Sequence, residues 1–234
     1  MDLELNGRRA IVTGGSRGIG LATARALIAE GARVALVARG EEALNAAAQD
    51  IGALAVPTDT GSDESVSAMV AAVSEAFGGI DILVNAAATP NQGGFDEDDL
   101  EAHLAIKVRG YLRTARAVVP HMDGWGRIIN VSGLAARQTG SVVGSVRNVA
   151  VSALTKNLAD ELGPQGINVT VVHPGATVTE RTPPAHFAES VSIGRLVTAA
   201  EVADVIAFLA SPRSVAINGD AIPVGGGAKG AIHY

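Results

Sequence analysis

The chain has 234 residues and a formal net charge of −6, and 47% of its residues are hydrophobic although only 3% are aromatic. This length suits one domain with an aliphatic core, so we expect residues 1–234 to form a single domain. The lack of cysteine excludes disulfides and cysteine metal sites, and the negative charge argues against a nucleic-acid partner. No apolar run approaches the ~20 residues that cross a bilayer. Residues 1–7 show no signal-peptide pattern, so we expect a cytoplasmic protein without a membrane partner.

Short aliphatic segments alternate along the chain with longer helical patterns. This alternation predicts a doubly wound α/β Rossmann fold, with a seven-stranded parallel sheet and helices on both faces. We predict strands at Arg9–Thr13, Arg33–Ala38, Ala53–Pro57, Ile80–Asn85, Arg127–Ser132, Asn168–His173 and Ala216–Val224. We predict helices at Gly18–Glu30, Glu41–Ile51, Asp63–Phe77, Glu97–Met122, Val142–Leu162 and Ala200–Ala210. Residues 179–198 fit neither a long strand nor a long helix, and we expect them to form a lid over the substrate.

The first predicted strand leads directly into the sequence TGGSRGIG at residues 13–20, and a helix follows. Glycines at three of these positions allow a sharp turn and a close approach to a pyrophosphate, which the N–H groups of the helix start would bind. Because the motif lies in the first strand–turn–helix of an alternating chain, it predicts a dinucleotide site. The expected contacts from this loop are Gly14, Ser16, Arg17, Gly18, Ile19 and Gly20.

The end of the second predicted strand indicates which dinucleotide binds. An acidic residue there would bond the ribose hydroxyls of NAD, but this chain has Ala38 followed by Arg39. Arg17 can reach the same corner, and two guanidinium groups without a carboxylate suit a 2′-phosphate. We therefore expect NADP(H) to be preferred over NAD(H). The alternative interpretation is that Arg39 is only a solvated residue at the start of a helix and binds no phosphate.

These motifs resemble those of the short-chain dehydrogenase/reductase family, and the resemblance runs nearly end to end. Residues 13–20 match its TGxxxGxG loop, residues 84–88 resemble its NNAG stretch, and residues 174–179 resemble its PGxxxT segment. The resemblance implies an oxidoreductase that acts on a carbonyl or alcohol, and a homodimer or homotetramer formed through two long helices. It does not identify the small-molecule substrate. It implies further cofactor contacts from Asp59, Thr60, Asn85, Ala86, Ala87, Pro174, Gly175 and Thr179.

Family members use a set of Asn, Ser, Tyr and Lys, in which the tyrosine supplies a proton and the lysine lowers its pKa. Counting back from the LTK sequence at residues 154–156 puts Gly144 at the tyrosine position and Asn148 at the lysine position. An ungapped count from the preceding strand gives Val146 and Ala150 instead. Neither register provides a tyrosine or a lysine, so we predict an atypical active site.

The remaining family positions suggest an exchange. Lys107 occupies the asparagine position, and Ser132 lies one residue before the serine position. We predict Ser132, Lys107 and Asn148 as the catalytic set, with an ammonium and an amide kept near the nicotinamide ribose. Lys107 should then point inward and bond to Ser132, Asn148 or a backbone carbonyl. The alternative is that the family's asparagine and lysine were lost independently in a degenerate site. The two tyrosines of the chain, Tyr111 and Tyr234, lie elsewhere.

Three functions remain open at this point. The first, our main prediction, is an NADP(H)-dependent oxidoreductase in which water, Lys107 or a lid residue replaces the phenol. The others are a non-redox enzyme that keeps the dinucleotide as a structural element, and a non-catalytic binder or partner subunit. His186 in the lid could face a substrate, although a solvated loop histidine is the simpler alternative. No His, Asp and Glu grouping has metal-ligand spacing, so no metal is expected.

Overall fold

The sheet follows the predicted alternation. The computed structural model describes residues 1–89, 96–180 and 183–229. Its strands are β1 (Arg9–Thr13), β2 (Arg33–Ala38), β3 (Leu54–Pro57), β4 (Ile82–Asn85), β5 (Gly126–Val131), β6 (Ile167–Pro174), β7 (Thr177–Val178), β8 (Val197–Thr198) and β9 (Ala221–Val224). Seven of them form one parallel sheet in the order β3-β2-β1-β4-β5-β6-β9, while β7 pairs with β8. The predicted seven-stranded parallel sheet is confirmed.

Helices cover both faces of this sheet. They are α1 (Gly18–Ala29), α2 (Glu41–Ile51), α3 (Asp63–Phe77), α4 (Glu97–Leu104), α5 (Gly110–Val118), α6 (Val142–Leu162) and α7 (Ala199–Leu209). Val12 of β1 belongs to the core cluster with α1, α2 and α7, whereas its neighbour Ile11 belongs to the cluster with α3, α5 and α6. Successive side chains of a strand point to opposite faces of the sheet. A sheet that helices cover on both faces therefore needs strands that present aliphatic side chains to both of them.

The helical segment predicted at Glu97–Met122 is helical from Glu97 to His121, but it is not one uninterrupted α-helix. After α4, a π-helical turn spans Ala105–Arg109, α5 follows, and a 3₁₀ turn at Val119–His121 ends the segment. A π turn inserts an extra residue into the helix and changes the direction of the side chains around it. Lys107 lies in this turn and is only 4% exposed. Hydrophobic spacing does not reveal such a local change of hydrogen-bond register.

The last strand is shorter than predicted, since it begins at Ala221 and not at Ala216. Gly219 has a φ of 78°, and the side chain of Asn218 accepts a hydrogen bond from the backbone of Val169 at 2.8 Å. Residues 216–220 therefore form the turn into the strand. The other predicted strand and helix boundaries agree within two residues.

Residues 179–198 form an excursion after β6. Among their described residues, a 3₁₀ turn spans Ala185–Ser190, and β8 pairs with β7 at the base of the excursion. The predicted absence of long regular structure therefore holds for the described part, and the role of this segment as a lid stays a prediction. In the described parts of the chain, no helix is long and apolar enough to cross a membrane.

Candidate active site

A cleft of about 1190 Å³ lies at the carboxyl ends of the parallel strands, where doubly wound sheets bind ligands. Every residue that was predicted to bind the dinucleotide lines this cleft except Asn85. These residues are Gly14, Ser16, Arg17, Gly18, Ile19, Gly20, Arg39, Asp59, Thr60, Ala86, Ala87, Pro174, Gly175 and Thr179. Lys107 and Ser132 line the same cleft, so the fold brings the glycine loop and two of the three predicted catalytic residues together.

The glycine loop is shaped by close backbone packing. A Cβ atom at Gly14, which has a φ of 66°, would lie 2.8 Å from the backbone of Ala86, and one at Gly20 would lie 2.3 Å from the carbonyl oxygen of Gly14. A Cβ atom at Gly18, which has a φ of 57°, would lie 3.7 Å from the side chain of Thr179, an ordinary van der Waals distance. Side chains are thus excluded where the loop turns, and the first N–H groups of α1 face the cleft. This cradle fits the diphosphate of a dinucleotide.

Glu180 is a site residue that the sequence motifs missed. Both of its carboxylate oxygens lie 3.1 Å from the backbone nitrogen of Gly18, and the N-cap residue Arg17 provides no side-chain cap. The start of a helix attracts negative charge through its free N–H groups and its dipole. The Glu180 carboxylate therefore occupies a position that suits a phosphate. No local pattern marks this contact, because it joins residues that are 162 positions apart.

The two arginines expected at the 2′-phosphate are Arg17 and Arg39, and both line the cleft with exposed side chains. Among the described residues, neither guanidinium has an ion-pair partner. Asp59, at the end of β3, accepts a hydrogen bond from the backbone of Gly61 at 2.9 Å. This end of the cleft therefore presents two cations to a ligand.

Lys107 points inward, as the sequence hypothesis requires. Its Nζ donates a hydrogen bond to the backbone oxygen of Ser132 at 3.0 Å. Burial, and then the nearby guanidinium of Arg147, lower the pKa of Lys107 to about 7. This amine therefore exchanges its proton near neutral pH, a property that suits acid–base chemistry.

Ser132 and Asn148 are adjacent, but the Asn148 side chain does not line the cleft. The Ser132 hydroxyl donates to the backbone oxygen of Asn148 at 3.1 Å. The Asn148 Nδ2 lies 3.0 Å from where a Cβ of Gly133 would stand, and its buried Oδ1 has no hydrogen-bond partner among the described residues. The amide packs there because Gly133 has no side chain, and the role of Asn148 beside the cofactor stays a prediction.

Asn85 is the second predicted residue that does not line the cleft. Its amide nitrogen donates to Asn130 at 3.0 Å, and its amide oxygen accepts from the hydroxyl of Thr114 at 2.8 Å. Both polar atoms of this buried side chain are engaged inside the protein. The side chain thus joins β4 to β5 and α5, and the role of Asn85 as a cofactor contact stays a prediction.

No phenol reaches the cleft in the described part of the chain. The Tyr111 hydroxyl lies within 3.0 Å of the backbone oxygen of Val131 and 3.1 Å of that of Ala87, and burial raises its pKa. Gly144 lies in the first turn of α6, where its N–H donates to the side chain of Ser141 at 3.0 Å. Tyr234 lies outside the described residues.

A second buried cation lies behind the cleft wall. Arg147, 9% exposed, bonds through Nη1 to the backbone oxygen of Thr89 at 3.1 Å and to Nδ1 of His103. Thr89 lines the cleft, whereas Arg147 does not. His103 Nε2 lies 3.3 Å from Asp99. Burial lowers the pKa of Arg147, and burial together with the Arg147 charge lowers that of His103.

The excursion after β6 contributes apolar residues to the cleft. Pro183 and Phe187 line it, while His186 is exposed and stacks on Phe187 with ring centroids 4.6 Å apart. The simpler interpretation of His186, a solvated histidine, agrees with this position. Within the described residues, no cluster of His, Asp or Glu is arranged to hold a metal ion.

Known proteins with similar sequences indicate the family of this chain. A family model described as enoyl-(acyl carrier protein) reductase matches residues 14–229. The short-chain reductase protein NovJ of Streptomyces niveus is 35% identical, with 93% of this chain and 92% of that protein aligned. The 3-oxoacyl-[acyl-carrier-protein] reductase FabG of Vibrio cholerae is 32% identical over 96% of this chain and 98% of its own length. The chain belongs to the short-chain dehydrogenase/reductase family.

Solved structures show the same fold. A short chain dehydrogenase from Burkholderia cenocepacia, in complex with NADP, superposes with a TM-score of 0.89 at 36% identity, covering 95% of this chain and 98% of that chain. A 3-ketoacyl-(acyl-carrier-protein) reductase from Brucella melitensis, complexed with NADH, gives a TM-score of 0.91 at 31% identity, with 96% and 99% covered. One of these cofactors carries a 2′-phosphate on its adenosine ribose and the other does not.

Proposed function

We propose that the chain is an oxidoreductase that uses NADP(H) and acts on a carbonyl or alcohol substrate. The observation that carries this proposal is that one cleft joins the glycine loop and two arginines to Lys107 and Ser132. The reductase names of the similar proteins support the reaction class, and the NADP complex of one of them supports the cofactor. The free guanidinium groups of Arg17 and Arg39 favour the phosphorylated dinucleotide.

The protein's own residues would donate the proton that this reaction needs. NADPH, when bound, supplies a hydride to the carbonyl carbon. The Nζ of Lys107 lies in the cleft wall and, with a pKa of about 7, can donate a proton to a substrate oxygen at neutral pH. The Ser132 backbone holds this Nζ, and Asn148 in turn holds the Ser132 hydroxyl. We therefore propose Lys107 as the proton donor, with Ser132 and Asn148 as positioning residues.

The proposed site is atypical for its family. Counting back from residues 154–156 puts Gly144 and Asn148 at the positions where family members have tyrosine and lysine. General acid catalysis contributes roughly 10²–10⁴ to a rate. An amine that replaces a phenol is expected to recover part of this factor, so we expect slow turnover on simple ketones.

A non-catalytic binder is the second candidate function. One observation favours it: the Ser132 hydroxyl donates to a backbone oxygen of α6, so its proton is not directed at a ligand. In this case the cofactor would bind without turnover, and the chain would act as a regulatory protein or a partner subunit.

We further propose that residues 179–198 form a lid and that a second copy of the chain covers α5 and α6. Pro183 and Phe187 already line the cleft, which supports a lid. The helices present four large exposed hydrophobic side chains, and surface patches of this kind mark interfaces. These side chains are Leu112, Val142, Val146 and Val149.

Calorimetric titration with NADPH and NADH, followed by a carbonyl screen, tests both candidates. We expect tighter NADPH binding, and Arg39→Ala should weaken NADPH selectively by about 1–3 kcal/mol, the range for a bond to a charged group. Arg116→Ala, at an exposed arginine that pairs with Asp63, is the control. Equal affinities would contradict the NADP(H) proposal. Binding without oxidation of NADPH by any carbonyl would favour the binder.

A further inference from the structure

We propose that Arg147 is a positioning residue, which fixes one wall of the cleft at Thr89 only while His103 is neutral. This wall segment consists of residues 86–89, which follow β4 and line the cleft. Arg147 and His103 lie behind it and are not part of the cleft lining. The inference rests on the proposed function, because that function places the cofactor and the substrate against this wall.

The wall segment is held from behind by hydrogen bonds to its backbone. The nitrogen of Ala87 donates to the hydroxyl of Thr13 at 3.3 Å, and the oxygen of Ala87 accepts from the hydroxyl of Tyr111 at 3.1 Å. Among the described residues, the backbone of Thr89 is held by Arg147, whose Nη1 donates to its oxygen at 3.1 Å. Loss of this bond would therefore release the Thr89 end of the wall and leave its start in place.

Only one state of His103 permits its bond to Arg147. A guanidinium donates hydrogen bonds and cannot accept them, so the His103 Nδ1 that bonds to the Arg147 Nη1 must carry no proton. The ring proton then lies on Nε2, which is 3.3 Å from Oδ1 of Asp99. A second proton could only bind to Nδ1, facing the N–H of Arg147. Protonation of His103 therefore removes the acceptor and adds a positive charge next to the guanidinium.

Burial makes this contact sensitive to the proton. His103 is 2% exposed, and the Nε of Arg147 is already buried without a partner among the described residues, so water cannot readily replace a lost acceptor. Burial, and then the charges of Arg147 and Lys107, lower the pKa of His103, while Asp99 raises it. Residues 90–95 contain no ionisable side chain. His103 is therefore neutral at pH 7, and acid favours the released wall because the held form binds fewer protons.

The released end of the wall would be the end near the proposed chemistry. The start of the wall segment packs closely against Gly14 of the glycine loop. Its far end, Thr89, is joined through Arg147 to α4. His103 of α4 lies four residues before Lys107 in the same helical segment. In the proposed reaction the nicotinamide ring lies near Lys107, so release of the wall should weaken binding of the nicotinamide half of the cofactor and spare the adenosine half.

The state of His103 can be measured without any ligand. In protein labelled with ¹⁵N-histidine, the imidazole shifts report the tautomer and the pKa, and His103→Asn identifies the signal by its loss. We expect the Nε2–H tautomer at pH 7.5 and a pKa below the ordinary 6.5. Arg147→Gln should raise this pKa, whereas Arg147→Lys, which keeps the charge, should keep it low. An Nδ1–H tautomer or an ordinary pKa in the wild type would overturn the inference.

Two ligands separate the two halves of the cofactor. NADP⁺ is suitable because it is stable in acid. The fragment 2′-phosphoadenosine diphosphoribose lacks only the nicotinamide ring, so titration of the phosphate groups affects both ligands alike. Calorimetry at pH 7.5 and pH 5.5 should show that NADP⁺ loses about threefold or more in affinity relative to the fragment. The limit is about tenfold for one pH unit below the ordinary pKa of histidine.

Variants show whether His103 causes this difference. His103→Asn places an oxygen acceptor near the position of Nδ1 and cannot be protonated, so the relative loss in acid should disappear. His103→Leu offers no acceptor at any pH, so NADP⁺ should bind weakly relative to the fragment at pH 7.5 as well. His121→Asn is the control, because His121 is an exposed histidine that bonds to Ser74 at 3.0 Å. It should keep the pH dependence of the wild type.

The inference is overturned if acid weakens NADP⁺ and the fragment equally, or if His103→Asn keeps the difference. Its failure is distinguishable from failure of the proposed function. A protein that shows the difference and never oxidises NADPH contradicts only the oxidoreductase. A protein that reduces carbonyls with NADPH and shows no difference contradicts only the role of His103 and Arg147. If NADP⁺ binds at neither pH, the proposed function fails and the ¹⁵N titration decides the inference by itself.

Discussion

Replacement of Lys107 by methionine should stabilise the protein at neutral pH and change how its stability depends on pH. The side chain is 4% exposed and has no carboxylate partner among the described residues. Burial, together with the charge of Arg147 from α6, depresses its pKa in the folded state, while His103 of α4 is another titratable neighbour. Methionine has a similar length and no charge, so it removes the cost of burying the ammonium.

The size of the effect follows from the pKa values of the two states. The pKa of Lys107 falls from 10.5 in the unfolded chain to about 7 in the folded protein. At ~1.36 kcal/mol for each pKa unit, the lysine costs at most roughly 5 kcal/mol below pH 7. Between pH 7 and 10.5 the unfolded chain binds more protons than the folded one, so stability rises with pH. About 3 kcal/mol of the cost should disappear between pH 7 and pH 9.5.

Urea denaturation of the wild type and Lys107→Met at a series of pH values measures this cost. The difference in the free energy of unfolding should favour the variant most at pH 7 and should shrink by about 3 kcal/mol by pH 9.5. Loss of the bond to the Ser132 backbone subtracts about 1 kcal/mol at every pH and leaves the slope unchanged. Lys156→Met is the control, since Lys156 is 59% exposed and pairs with Asp160.

A difference that stays constant from pH 7 to pH 9.5 would refute the reasoning, because it would mean that Lys107 has an ordinary pKa in the folded protein. A variant that is less stable than the wild type at pH 7 would refute it as well, since the hydrogen bond to Ser132 would then outweigh the cost of burial.

Two further predictions concern the cleft entrance and the exposed helices. Glu180→Gln removes a carboxylate from the start of α1 that would compete with the cofactor diphosphate, so calorimetry should show NADPH binding up to about fivefold more tightly, equivalent to about 1 kcal/mol. Glu189→Gln, at an exposed residue of the same excursion after β6, should leave the affinity unchanged, and weaker binding by Glu180→Gln would contradict the competition. Val146→Glu places a charge in the apolar face of α6, where Val146 is 43% exposed, and should lower the mass measured by light scattering if a second copy covers this face. Val215→Glu, at an exposed residue after α7, is its control, and an identical mass for both variants would locate any interface elsewhere.

Local sequence patterns were sufficient to predict the fold and the conformation of the glycine loop. Aliphatic strands alternate with amphipathic helices, and this pattern depends on which side chains must be buried, so the seven-stranded sheet follows from it. The glycine loop was also predictable, because positive φ values and backbone contacts, as at Gly14, depend on residues with no side chain. Since all parallel strands end at one edge, the segments after β1 to β6 had to meet there.

Tertiary structure alone decided the chemistry at the other end of the cleft. The π turn that contains Lys107 replaced a segment that the sequence presented as one helix. Asn85, predicted at the cofactor, is engaged by Asn130 and Thr114. The contacts of Glu180 with Gly18 and of Arg147 with His103 join residues that are far apart in the chain. Local patterns report backbone conformation and burial, whereas pKa values and charge pairing depend on distances that exist only once the chain has folded.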